Sequence, residues 1–263
     1  MAISLGSISK TRRAAQPPRI VVHGLQGAGK STFAAGAPSP IFLPFEDGLS
    51  GIETDAFPLL RSWDDAVGAI ASLLNEEHGY ATVVLDSLDW LEPHIQARVA
   101  ADHKVANIEA IPYGKGYVEA TAYWRTLLDG LNALRERRNM AVILIAHTQV
   151  RRFESPEMES YDRYEMKLHK AAGALCVEWA DVVGLAQAET TIAREKTGMA
   201  QRVRGISTGR RVLRTSEAAA YVAKNRYSLP DPLPLDWNAL AAAIWPATES
   251  AATAADASAA PAA

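Results

Sequence analysis

The stretch HGLQGAGKST, starting at His23, constrains the fold of this chain more than any other. It completes the pattern GxxxxGK[ST] with Gly24, Gly29, Lys30 and Ser31, follows the apolar run RIVV and precedes a segment of helical period. Glycines let successive backbone N–H groups curl around phosphate oxygens, and a helix that starts there adds the positive end of its dipole. Gln26, Gly27 and Ala28 complete the cradle between the fixed positions. Lys30 then reaches the terminal phosphates, Ser31 can ligate magnesium, and Thr32 either caps the helix or touches the alpha phosphate.

Such a loop needs a sheet and crossover helices to hold it. The chain has 263 residues, 48% of them hydrophobic, enough for one sizeable core. From Arg19 to Ala146 the runs RIVVHG, IFLPFED, ATVVLDS and AVILIAH alternate with segments of helical period, the order of an α/β fold with a mainly parallel sheet flanked by helices. SWDDAVGAIASLLNEE predicts an amphipathic helix capped by Ser62, with Val67, Ile70, Leu73 and Leu74 on its inner face. The segment from Tyr117 to Arg138 predicts a second helix burying Trp124, Leu127, Leu128, Leu131 and Leu134.

After Val150 the stretch RRFESPEMESYDRYEMKLHK reads as a long polar loop interrupted by Pro156. Beyond it, ADVVGLAQAE, TTIAREKTGMAQRVRGIS, RRVLRTS and AAYVAKNRYSLP predict antiparallel strands that extend the sheet. The expected organisation is a short arm over residues 1–18, one domain over 19–246 and a disordered Ala-rich tail over 247–263.

Charge and cysteine usage narrow the function classes. A formal net charge of -3 argues against a surface coated in positive charge and neither indicates nor excludes nucleic acid. Cys176 is the only cysteine, so an internal disulfide is excluded and a packed thiol in a reducing compartment is expected. The histidines show no closely spaced ligand pattern, so no zinc site is expected. The opening segment lacks the apolar core of a secretory signal, and no run approaches the roughly 20 apolar residues that span a bilayer. A soluble, cytoplasmic protein without a membrane partner is expected.

Two acidic positions join the phosphate loop. Asp86 ends the apolar run ATVVLDS, where a carboxylate can hold magnesium through water. Glu46 and Asp47 end IFLPFED on the rim where open α/β sheets bind ligands, and a carboxylate there can orient and deprotonate an attacking water, Glu46 ahead of Asp47.

In this order the phosphate loop, FLPFEDGLSG, VVLDS and VILIAHTQ resemble the RecA-type recombinase core. The resemblance implies an ATP- and Mg2+-dependent ATPase with Glu46 as catalytic glutamate, Asp86 at magnesium and His147 as the polar sensor. His147, with Gln149 close by, stands where the family has glutamine. YVAKNRYSLP is similar to the RecA segment that reaches a neighbouring subunit's ATP, which implies such a role for Lys224 and Arg226. Over Arg19 to Pro230, without a large C-terminal domain, the chain resembles the minimal RecA-like ATPases of bacteriophages, including the Sak-type single-strand annealing proteins. This implies a phage-encoded protein acting in the infected bacterial cytoplasm as a ring or filament. Its implied partners are single-stranded DNA and a single-strand binding protein.

The same resemblance points to HKVANIEAIPYGKGYVEA and QVRRFESPEMESYDRYEMKLHK as DNA loops. Arg151, Arg152, Lys167 and Lys170 can neutralise phosphates, and Tyr113, Phe153, Tyr161 or Tyr164 can stack on bases. Gly114 and Gly116 suggest a mobile first loop. A further basic concentration, Arg194, Lys196, Arg202, Arg204, Arg210, Arg211 and Arg214, faces DNA, a neighbour's phosphates or only water. The alternative from another class is a P-loop nucleotide switch or scaffold that acts on protein partners without DNA.

Overall fold

The computed structural model describes residues 16–155, 159–197 and 200–245, so the expected tail and most of the expected arm lie outside the described residues. Ten strands join in one sheet: β1 Arg19–Gly24, β2 Pro40–Pro44, β3 Asp55–Ala56, β4 Thr82–Asp86, β5 Ala141–Phe153, β6 Tyr161–Met166, β7 Val182–Thr197, β8 Ala200–Arg214, β9 Lys224–Asn225 and β10 Leu233–Pro234. The spatial order is β10-β8-β7-β1-β5-β4-β2-β3, with β6 pairing on β5 and β9 on β7. The helices are α1 Lys30–Ala35, α2 Trp63–Asn75, α3 Leu88–Asp102, α4 Lys115–Arg137, α5 Lys170–Trp179 and α6 Trp237–Ile244. None of the described helices is long and apolar enough to cross a membrane.

The central strands read as continuous apolar runs because both faces are covered. Val21, Val83, Leu85, Val142 and Leu144 face a core shared with α2, α3, α4 and α5. Their neighbours Ile20, Val22, Val84, Ile143 and Ile145 face a second core closed by Phe33 of α1 and Trp237 and Leu240 of α6. The two faces thus follow the strand period of two.

Ser62 caps α2 by accepting a hydrogen bond from the Asp65 amide at 3.0 Å. The inner face differs from the expected one: Trp63, Ala66, Ala69, Ile70 and Leu73 are buried, whereas Val67 is 41% exposed. Trp63 meets Tyr123 of α4 edge-on at 5.3 Å, and Ile70 lies against Gly130, so α4 sets the rotation of α2. α4 itself starts at Lys115 and buries all five expected residues.

Two expectations about the later chain are corrected. Much of the polar stretch after Val150 is strand rather than loop: β5 runs on to Phe153 and pairs antiparallel with β6, from Thr148↔Met166 to Phe153↔Tyr161, while Pro156 lies outside the described residues. Backbone pairing, rather than burial, makes this hairpin, so hydrophobic periodicity does not reveal it. The run ADVVGLAQAE is not purely antiparallel either. β7 pairs parallel with β1, Ile20↔Val182 to Gly24↔Ala186, and antiparallel with β8 on its other side, because α5 returns the chain to the entry end of the sheet.

Candidate active site

Gly27 and Gly29 hold φ of 74° and 96°, left-handed values at which a side chain would be strained. Gly24 lies so close to β7 that a Cβ would run into the Ala186 carbonyl. The N-cap of α1 is Gly29, and no side chain caps it. Thr32 therefore does not serve as the cap that was one of its two expected roles; it lies exposed in the first turn.

Lys30 is only 5% exposed, and its ammonium donates to the carbonyls of Gly24 and Leu25, each at 3.0 Å. Burial pulls its pKa below the usual lysine value, opposed by the carboxylates of Asp86, Glu46 and Asp89. Ser31 Oγ donates to Asp86 Oδ2 at 2.6 Å. Asp86 is 3% exposed, and burial raises its pKa despite the Ser31 hydrogen bond. Two hard oxygens on one spot, one from a hydroxyl and one from a carboxylate, fit a magnesium ion that also binds phosphate and water.

The β2 end is pinned to the same place, since the Phe45 amide donates to the Asp86 carbonyl at 2.7 Å. This puts the Glu46 carboxylate 3.9 Å from His147 Nδ1, while Asp47 is exposed. His147 Nδ1 donates to Asp89 Oδ2 at 2.9 Å, and its amide donates to Asp89 Oδ1 at 2.8 Å. Burial acts to raise the Asp89 pKa, but these bonds from His147 outweigh it and the net shift is downward. Glu46, Lys30, Ser31, Asp86 and His147 thus come together as the sequence predicts, and Asp89 joins them unpredicted. Its only signal is a second aspartate three residues after Asp86, which reads as an ordinary first-turn helix acid.

His23, the residue before Gly24, is fully buried and its pKa is lowered to about 4, chiefly by desolvation. Its Nε2 donates to the Val222 carbonyl at 2.8 Å, so Nδ1 accepts from the Thr148 hydroxyl at 3.0 Å. A neutral imidazole therefore ties β1 to β5 next to His147.

The predicted DNA residues divide. Arg151, Arg152, Phe153 and Lys170 line a cavity of about 720 Å³ between the β5–β6 hairpin and α5, with Arg163 added. The Arg163 guanidinium lies over the Phe153 ring, 5.3 Å from its centre, and Phe153 meets Tyr161 at 5.4 Å. Lys167 does not line this cavity, although its amide donates to the His147 carbonyl at 2.8 Å. In the other loop Tyr113 is 96% exposed. Gly116 is not a point of freedom there: a Cβ would come within 2.6 Å of Ile108, so the glycine permits close packing.

Lys224 and Arg226 lie at the opposite end of the sheet within one chain. Lys224 donates to the carbonyls of Val177 and Glu178 at the end of α5, both at 2.7 Å. Arg226 donates to Asp181 at 3.2 Å, where Asp181 also holds Arg19 at 2.9 Å.

Residues 16–227 match the AAA domain family, a range that takes in the phosphate loop, both magnesium-type oxygens, His147 and the hairpin. The chain belongs to the AAA domain family. No curated protein matches it. As an AAA domain it is a nucleotide-binding P-loop ATPase domain, which accounts for the convergence of Lys30, Ser31 and Asp86.

Proposed function

We propose that this AAA domain is a magnesium-dependent ATPase of the RecA type that binds single-stranded DNA as an oligomer and assists annealing or recombination of phage DNA. The observation that carries the reading is β5: one strand holds His147 at the phosphate end and Arg151, Arg152 and Phe153 in the cation and aromatic groove. Cations for the backbone beside rings for the bases suit single strands.

On nucleotide binding, the Lys30 ammonium exchanges the carbonyls of Gly24 and Leu25 for phosphate oxygens. Ser31 and Asp86 would hold magnesium, which would supply neutralisation of charge on the phosphates. Glu46 orients a water and takes its proton, the water oxygen bonds to the terminal phosphorus, and the bond to the bridging oxygen breaks to release ADP and phosphate. Nδ1 of His147 is committed to Asp89, which leaves Nε2 to meet the terminal phosphate. A change there passes along β5 and, through the Lys167 amide on the His147 carbonyl, into β6. For Lys224 and Arg226 to complete a neighbour's site on assembly, they would have to exchange the carbonyls of Val177 and Glu178 and the Asp181 carboxylate for that neighbour's phosphates.

The test is ATP hydrolysis by the purified protein with and without single-stranded DNA at two salt concentrations. Stimulation that weakens with salt is expected. DNA-indifferent turnover, with no DNA binding at low salt, overturns the reading in favour of a nucleotide switch acting on protein partners. Glu154, Glu165, Glu178 and Glu217 in the groove favour that second reading.

A further inference from the structure

Arg211 of β8 lies against the phosphate loop. A Cβ built on Gly29 would meet its Nη1 at 2.6 Å and its Cδ at 3.2 Å, so the side chain crosses the residue before Lys30. Among the described residues no hydrogen bond or ion pair engages this guanidinium, in contrast to Arg19, Arg98, Arg163 and Arg226. An exposed but unpaired cation laid on a phosphate-binding glycine has a partner of opposite charge to gain when phosphate arrives.

Arg211 also lines a cavity of about 500 Å³, together with Val212, Pro232, Pro234 and Leu235 and with the charged Glu189, Arg210 and Asp236. A defect in the sheet shapes it. The β7–β8 register slips between Ala188 and Thr190, Gly209 takes a φ of 75°, and Glu189 is held by the Thr208 hydroxyl at 2.9 Å. Such bulges re-aim side chains next to sites. The far wall is fixed to the phosphate loop's own helix, because Trp237 of α6, just past this wall, packs on Phe33 of α1 with ring centres 6.1 Å apart. A lining that mixes apolar side chains with a few charged ones and shares Arg211 with the phosphate loop matches a nucleoside.

We propose that this cavity holds the base and ribose of the bound nucleotide and that Arg211, in the same chain, is a second phosphate-contacting cation. The proposal rests on nucleotide binding at the Lys30 loop and adds where the rest of the molecule lies. No sequence pattern announces it, since the site is made by a strand, a bulge and a C-terminal segment brought together only by the sheet order.

The test is photolabelling of the full chain with 8-azido-ATP and magnesium, followed by peptide mapping, beside calorimetry with ATP and with inorganic tripolyphosphate. The expected adduct falls within residues 209–212 or 232–236 and is lost in Lys30→Ala. Arg211→Ala should weaken ATP and tripolyphosphate alike, by about tenfold or more, the loss of one charge-assisted hydrogen bond. Lys30-dependent labelling mapped to another segment, or Arg211→Ala protein that binds both ligands as tightly as wild type, overturns the proposal and leaves the phosphate loop standing. Absence of any Lys30-dependent binding of either ligand overturns the nucleotide reading itself.

Discussion

The two ends of β1 each bury an aspartate, and they treat it in opposite ways. At the entry end Asp181 is clamped by Arg19 at 2.9 Å and Arg226 at 3.2 Å, with Arg135 at 3.8 Å, and although burial acts to raise its pKa the bonds from Arg19 bring the net shift down. At the exit end Asp86 has a hydroxyl for its close partner, and burial drives its pKa up. Lys30, the nearby cation, spends its protons on two carbonyls instead. One end has its charges closed within the chain and holds the fold together; the other leaves them open to a ligand. That contrast separates structural ion pairs from a site better than the presence of buried charge does.

The largest effect that sharpens this contrast is on turnover. Glu46→Gln should leave ATP binding intact and slow hydrolysis by about two orders of magnitude or more, read in a single-turnover assay. A wild-type rate would move the base to Asp47. Next in size, Asp181→Ala should lower the free energy of unfolding by about 3 kcal/mol, because it strands Arg19 and Arg135 without a counter-charge. Denaturant titration measures the loss, and the variant should still bind ATP where it is folded. Equal stability would mean that the entry-end cluster holds nothing.

Asp86→Asn should act the other way on the nucleotide-free protein, raising its stability by about 1 kcal/mol while magnesium-dependent hydrolysis is lost. A lower melting temperature would break the comparison, since it would make Asp86 a structural acid like Asp181. The smallest effect lies in pH. The depressed pKa of Asp181 gives stability that is present above the ordinary carboxylate value of about 3.9 and fades as pH falls through the folded value. For Asp86, whose folded value is raised, the favourable contribution is present below about 3.9 and fades as pH rises through the folded value. The melting-temperature gap between Asp86→Asn and wild type should therefore widen from pH 4 to pH 7. The Asp181→Asn gap should instead close on acidification.

The parts of the molecule legible in sequence are those in which the backbone or burial dictates residue type. The phosphate loop needs glycine at left-handed φ, the central strands need apolar residues on both faces, and Ser62 needs only a local hydrogen bond. Asp89 leaves no mark in the sequence because its bond to His147 joins the first turn of α3, just after β4, to β5, which the sheet order makes the neighbour of β4. Arg211 is one of seven basic residues in its part of the sequence, with nothing local to single out the one that crosses Gly29. The hairpin leaves no hydrophobic signature in the sequence, because it is paired through backbone amides.

β5 is thirteen residues long and pairs in continuous register with β6 from Thr148 to Phe153, and at about 3.3 Å per residue it is a rod of roughly 40 Å. On the proposed reading such a paired strand would carry a displacement at His147 toward Phe153 that a flexible tether would absorb. It also makes the spacing between the two inviolable in length. Deleting one residue among 148–150 would turn every side chain from Arg151 onward to the other side, so variation here has to proceed by replacement and never by insertion or loss.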